Sequence, residues 1–373
     1  MRGSLNILYL IDHLETTYPR DQNYIIRFML EHGHHVEILT SADKRFCPYD
    51  SKFFPTAKIL RCPTILQIKK AKVYFHPFIV SKFRKEYDII HSFTFFTYSS
   101  ALATLLRGKV KFIRSEIGPP YGLNFIKAKA KLSIYHTLTD MYRHFYGYYT
   151  AYNELEAKTL ELLGFPKERI IVLPPMIDFE GFSTLRNDNE EDEVILGVIA
   201  RISWEKGIHR LIPIMKQVIE RTSSGIRKFR LILAGRSDNK HYAEMVISSL
   251  RNLLHGKFIY LGEVAPPYDF YKKVDVVIVP SLTETGAITV LEAMASGKCV
   301  VASNIYPINL YISQESTGFL FNTPSEAAKI ILDILAGNVD IENISKAAQS
   351  YARKHDYRLV CAKLEDLYYY SVK

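Results

Sequence analysis

The chain has little cysteine: Cys47, Cys62, Cys299 and Cys361 are all it carries in 373 residues. None stands in a C-x-x-C pair, so neither a disulfide framework nor a zinc site is expected. The four read as thiols of a reducing compartment. Long apolar runs are missing too. The N-terminal run Asn6–Ile11 is short and is broken by Asp12, which makes it a first β-strand rather than a leader peptide. No run approaches the roughly 18 residues of a spanning helix. The expectation is a cytoplasmic protein, soluble or peripheral to a membrane. There is no internal repeat and no low-complexity segment, which excludes solenoids and disordered scaffolds.

Charge of both signs is present, but unevenly. The formal net charge is +9. Residues 1–180 hold 25 Lys and Arg against 17 Asp and Glu, a balance of +8, while residues 181–373 hold 23 against 22, a balance of +1. One half therefore carries the electropositive field, which points to a partner of that half rather than to general solubility. A nucleic-acid binder is one reading of that field, but no recognised nucleic-acid motif accompanies it. Hydrophobic residues at 48% and charged residues at 23% suit a globular chain that buries large cores, and the length suggests two domains.

The most informative stretch is Asp275 to Ser303, DVVIVPSLTETGAITVLEAMASGKCVVAS. Asp275–Val279 is a continuous apolar run, as in a parallel strand buried on both faces. Pro280 ends it, Leu291–Ser296 are good helix formers, Gly297 stands as a C-terminal cap, and Cys299–Ala302 is the next buried run. In such a βαβ unit the helix N-terminus lies beyond the carboxyl edge of the sheet, where open α/β sheets bind ligands and where free backbone N–H groups favour anions. Glu284 precedes the helix and Glu292 lies within it. At helical rise, eight positions span about 12 Å, too far for a hydrolytic carboxylate pair and suited to one elongated ligand held at two points.

The segment PSLTETGAITVLEAMASGKCVVAS resembles the E-x7-E motif of glycosyltransferase family 4, retaining enzymes of the GT-B fold. Where that family usually has Gly-Phe-Gly after the first Glu, this chain has Thr285-Gly286-Ala287. A second likeness is the strand Val194–Ala200 followed by Arg201-Ile202-Ser203-Trp204-Glu205-Lys206-Gly207, similar to the family's Gly-Arg-Leu…Glu-Lys-Gly, with Ala200 in place of the first Gly. A departing nucleoside diphosphate develops charge, and two cations at a strand exit can neutralise it without a metal.

The resemblance, strong over 194–305 and weak over 1–180, implies two doubly wound domains facing a cleft. It places an acceptor-side domain at 1–180 with the last helix, about 355–373, added to it. A nucleotide-sugar domain follows at 190–354, with the acidic stretch Asp188–Glu193 as linker. It implies that Arg201, Lys206 and the backbone of Gly286, Ala287 and Ile288 take the diphosphate, Glu292 the ribose hydroxyls and Glu284 the transferred sugar. Gly262, Glu263 and Val264 fall where the family receives the nucleobase. Gly235 and Arg236 end a strand at the same edge. The donor is UDP-, GDP- or ADP-linked; no metal and no other cofactor is expected.

In the N-terminal half the likeness is looser. Family members often carry Gly-Gly before the first helix; here the loop reads Tyr18-Pro19-Arg20-Asp21, with Arg20 available as a charged contact. Strand Lys111–Ser115 leads to Glu116, where the family often has a His facing sugar and acceptor; Glu116 reads either as an acceptor contact or as a loop carboxylate. Residues 121–149 interleave Lys127, Lys129, Lys131 and Arg143 with Phe125, Tyr135, Tyr142 and Phe145. That composition suits either a packed helix with a solvated basic face or a surface resting on anionic lipid and a lipid-linked glycan acceptor. A nucleotide-sugar epimerase and a glucan synthase remain alternatives within the same fold.

Overall fold

The structure, a computed structural model, describes residues 3–11, 14, 20–41, 53–62, 64–68, 71–74, 87–93, 111–115, 147–162, 164–186, 193–222, 226–237 and 239–372. The chain divides into two compact units, Met1–Met176 with Tyr357–Lys373, and Ile177–Asp356. The division falls ahead of the acidic stretch expected as a linker, and ahead of residue 180. The reason is aromatic: Phe179 and Phe182, on the helix Phe179–Ser183, are buried in the core of the second unit with Phe270 and Tyr271. Residues 177–186 therefore belong to the second unit.

The first unit contains strands β1 (Asn6–Ile11), β2 (His35–Ser41), β3 (Lys58–Cys62), β4 (Thr64–Ile68), β5 (Ala71–Tyr74), β6 (Ile89–Ser92), β7 (Lys111–Ser115), β8 (Tyr148–Ala151) and β9 (Ile170–Val172). Seven form one parallel sheet in the order β3-β2-β1-β6-β7-β8-β9, and β4 and β5 pair antiparallel. The helix Asp21–Glu31 buries Tyr24, Ile25, Phe28 and Met29, one face at helical spacing. Gly33, with φ of +80°, ends the turn after it. The C-terminal helix Tyr357–Val372 adds Tyr357, Val360, Cys361, Leu364 and Tyr368 to the same core. At about 1.5–3 kcal/mol for each large apolar side chain buried, that face is ample to hold the helix in this unit. Tyr368 also meets buried His91, whose Nδ1 lies 2.5 Å from the hydroxyl. Burial pulls His91 down to about 3, leaving an uncharged imidazole in the core.

The second unit holds β10 (Glu193–Ile199), β11 (Lys228–Ala234), β12 (Phe258–Tyr260), β13 (Val276–Val279), β14 (Cys299–Ser303) and β15 (Phe319–Phe321), all parallel, in the order β12-β11-β10-β13-β14-β15. Side chains along β10 alternate between two cores: Val194, Leu196 and Val198 enter one, Ile195 the other. Helices cover both faces, so the strands read as unbroken apolar runs. In each sheet the strand order reverses once, beside the first strand of the unit. That is the topological switch point, where ligands enter doubly wound folds. In the second unit it lies between β10 and β13, paired through Leu196 with Val276 and Gly197 with Val277.

Candidate functional site

The exits of β10 and β13 meet at that switch point. After β10 the chain makes the tight turn Trp204–Gly207, closed by Gly207 N–H donating to the Trp204 carbonyl at 2.9 Å. After β13 it runs from Pro280 to the helix Ile288–Ala295. Leu282 and Thr283 N–H both donate to the Glu205 carbonyl, at 2.9 and 3.2 Å, which staples the two loops together. Lys206 Nζ donates to Glu284 Oε1 at 2.7 Å, and Ser281 Oγ donates to the same oxygen at 2.7 Å. The Glu284 side chain is 8% exposed and that of Lys206 22%. An ammonium and a carboxylate expected to serve one ligand are thus each other's partner, mostly screened from water.

Arg201 is different. Its guanidinium pairs with Glu205 at 2.8 Å, and both side chains are more than two-fifths exposed. Burial works against the charge on Glu205, but its own backbone N–H and the Arg201 guanidinium outweigh it and hold the carboxyl below its ordinary range. A pair this exposed is worth about 1 kcal/mol or less, so Arg201 can exchange Glu205 for a better anion at little cost. Arg210, which sequence analysis did not single out, is a brace. It donates to the Pro280 carbonyl, to Ser303 Oγ and to the Asn322 carbonyl, at 3.1, 2.7 and 3.2 Å, and so ties together the exits of β13, β14 and β15.

The helix Ile288–Ala295 closes with Gly297 at φ +65°, with Lys298 N–H on the Ala293 carbonyl and Gly297 N–H on the Met294 carbonyl. Gly297 is thus the C-terminal cap expected from the sequence, and the structure adds its two hydrogen bonds. No side chain caps its N-terminus, which leaves first-turn N–H groups for an anion. Glu284 lies ahead of the helix, so only Ile288 to Glu292 rises at helical pitch and the 12 Å span does not apply. The N-cap is Ala287, left-handed at φ +48° and buried. It stands where the family usually has Gly, and an L side chain there costs about 1 kcal/mol or more. Ala287→Gly is therefore expected to stabilise the second unit by about 1 kcal/mol, raising its melting temperature by about 2–4 °C in calorimetry. An unchanged or lower melting temperature would show that the loop carries no such strain.

Glu292 is half-buried on the same helix, with one oxygen taken: Tyr271 hydroxyl donates to Oε2 at 2.9 Å. Burial outweighs that hydrogen bond and pushes the carboxyl up to about 7. Tyr271 was not legible as a site residue. It sits on the four-residue helix Tyr268–Tyr271, too short for any periodicity, and its ring is core.

The exits of β11 and β12 complete the edge. Gly235 has φ +139°, and a Cβ there would lie 1.8 Å from the Ala200 carbonyl oxygen. The close approach that requires glycine is thus between two backbone segments of the site. Gly262, at φ +70°, faces open space. Arg236 Nη1 lies 3.8 Å from Glu263 Oε1, and both are partly exposed beside Val264. Four neighbouring strands at about 4.8 Å spacing give an edge about 14 Å long. Among the described residues no group of three or more His, Cys, Asp or Glu is placed to hold a metal ion, and no helix is long and apolar enough to cross a membrane. Glu116 and most of the basic, aromatic stretch, residues 121–146, lie outside the described residues.

Two family descriptions match: Glycosyltransferase Family 4 over residues 23–180, and Glycosyl transferases group 1 over residues 183–355. An uncharacterized glycosyltransferase of Methanocaldococcus jannaschii is 33% identical over 131 residues, 35% of this chain and 32% of that protein. The alpha-monoglucosyldiacylglycerol synthase of Streptococcus pneumoniae is 27% identical over 181 residues, 48% of this chain and 40% of the synthase. The chain thus spans well under half the length of these two relatives. Among solved structures, Anabaena HepE in complex with UDP and glucose superposes with a TM-score of 0.75 at 17% identity, over 97% of this chain and 99% of that one.

Proposed function

We propose, since the chain belongs to glycosyltransferase family 4 and has the GT-B fold of two Rossmann-like units, that it moves a sugar from a nucleotide sugar to a hydroxyl acceptor with retention at the anomeric carbon. The observation that carries this is the Lys206–Glu284 pair at the switch point, beside an uncapped helix N-terminus. A nucleotide sugar has an anion in its middle and hydroxyls at both ends. The diphosphate takes Lys206, Arg201 and the N–H groups of Gly286 to Ile288. Glu284, relieved of Lys206, accepts from the hydroxyls of the transferred sugar. The ribose diol reaches Glu292, and the base lies against Gly262–Val264 with Gly235 and Arg236. As the bond from anomeric carbon to phosphate oxygen breaks, the acceptor oxygen bonds to that carbon from the same face, and the departing phosphate oxygen takes the acceptor's proton. Lys206 and Arg201 offset the charge that develops. That support needs no metal.

For the acceptor we infer a hydroxyl of a lipid-linked or cell-surface glycan. The basic excess lies in residues 1–180, and one relative is named for a glucosyl diacylglycerol. The test is a thermal-shift screen with UDP-, GDP- and ADP-sugars, then turnover of the stabilising donor with and without EDTA and with neutral or anionic vesicles. One donor class is expected to raise the melting temperature, with turnover indifferent to EDTA and protein pelleting with anionic vesicles at low salt. No shift with any nucleotide sugar overturns the donor reading. Loss with EDTA restored by magnesium overturns the metal-free reading, and absence of pelleting overturns the lipid-linked one.

A further inference from the structure

We propose that Tyr271 is a positioning residue for the nucleotide: its hydroxyl holds the Glu292 carboxylate in the orientation and charge state that accept the ribose hydroxyls. This rests on the reading above that Glu292 receives the ribose.

The geometry is specific. Tyr271 is fully buried, and its ring is fixed by edge-on contacts with Phe182 and Phe270, both at 5.5 Å between centroids. Its hydroxyl has two acceptors within reach, Glu292 Oε2 at 2.9 Å and the Thr289 carbonyl at 3.4 Å. The single proton goes to Glu292 while that carboxyl is ionised. When Glu292 takes up a proton, it can donate to the phenol oxygen instead, and the phenol proton turns to Thr289. Only the ionised arrangement leaves Oε1 fully charged for a vicinal diol, and a charged acceptor makes the stronger hydrogen bond. A carboxyl poised near 7 sits between these arrangements at neutral pH.

Other titratable groups on the segments around this helix are engaged elsewhere. Glu180 is exposed and Cys299 is buried in β14. Tyr311 stands edge-on to His355, Glu342 pairs with Lys346, and Tyr351 donates to the Leu310 carbonyl. None of them acts on Glu292, which answers to burial and to Tyr271. The phenol is therefore the group that opposes burial, and without it the ionised carboxylate is less favoured still.

The experiment is calorimetric titration of UDP, GDP and ADP from pH 6 to 9 into wild type, Tyr271→Phe and Glu292→Gln, continuing with whichever nucleotide binds tightest. Comparing variant with wild type at each pH cancels the titration of the nucleotide itself. Wild-type affinity is expected to rise as pH passes upward through about 7. Loss of one charge-assisted hydrogen bond moves the midpoint up by about one pH unit. Tyr271→Phe should then bind about fivefold more weakly at pH 7 and within about twofold of wild type at pH 9. Glu292→Gln should bind weakly at every pH, with the step gone. A Tyr271→Phe deficit that stays constant across pH, or no deficit at all, overturns the positioning role even where Glu292→Gln behaves as expected. Glu292→Gln binding like wild type overturns instead the ribose role on which the proposal stands. A melting curve of Tyr271→Phe with nucleotide at pH 9, matching wild type with nucleotide, separates a shifted titration from a damaged fold.

Discussion

Replacing Lys206 by alanine is expected to lower kcat by about 100- to 1,000-fold, the usual cost of removing one preorganised charge from a developing anion. A second loss accompanies it. Glu284 is nearly buried and would keep only Ser281 as partner, and stripping the counter-charge from a carboxylate so placed costs about 3 kcal/mol. The two effects separate in the double variant. Lys206→Ala with Glu284→Gln removes the stranded charge, so the melting temperature should return most of the way to wild type. Turnover should stay low, because neither the diphosphate nor the sugar has recovered its contact. Arg201→Ala provides the contrast: its partner Glu205 is exposed, so kcat falls while stability holds. The decisive measurements are kcat with the stabilising donor and a melting curve for all four proteins. A Lys206→Ala enzyme within tenfold of wild-type kcat would remove Lys206 from leaving-group neutralisation. A double variant as unstable as the single would mean that the loss comes from the missing pair itself and not from a stranded Glu284 charge.

The same loops show how far the amino-acid sequence can be read. The unit from Asp275 to Ser303 was legible because a strand buried on both faces is an unbroken apolar run, and Gly297 marks the helix end by its own backbone freedom. Ligand entry at the carboxyl edge of the strands followed from the alternation of strand and helix, whereas the switch point itself needed the strand order. What the sequence did not reveal is how the candidate ligand contacts pair with one another. Lys206 and Glu284 were each legible as ligand contacts, but their pairing depends on two loops 78 residues apart meeting. Arg210 was missed because a brace to three strand exits has no local pattern. Tyr271 was missed because its role lies in one hydroxyl at the edge of a core. The helix Lys240–Leu254 was unassigned although Ala243, Val246, Leu250 and Leu254 mark its buried face. Charge drew the expected boundary to the acidic stretch, while Phe179 and Phe182 ahead of it place residues 177–186 in the second unit. In the first unit β3, β4, β5 and the partners of the C-terminal helix needed tertiary contacts to become visible.

Gly207→Ala is expected to destabilise the second unit strongly. Gly207 sits at φ +62° directly after Lys206, and a Cβ there would lie 2.1 Å from the Pro280 carbonyl oxygen and 3.0 Å from its carbon. The neighbour is backbone at the exit of β13, and Arg210 already holds that carbonyl, so it cannot swing aside like a side-chain tip. Two costs add: about 1–2 kcal/mol for the left-handed conformation and a further 2 kcal/mol or so for overpacking a rigid contact. Gly337→Ala isolates the first, because Gly337 has φ +76° with nothing within 4 Å of its Cβ. In a unit of this size about 1 kcal/mol shifts the melting temperature by about 2–4 °C. Gly337→Ala should therefore lower it by a few degrees and Gly207→Ala by about 10 °C. The protein that still folds should have low kcat, because the only way to admit the methyl group is to move the turn that aims Lys206 at Glu284. If Gly207→Ala melts within about 3 °C of Gly337→Ala, the turn yields freely, and the rigid junction of the β10 and β13 exits on which the proposed diphosphate site depends is not there.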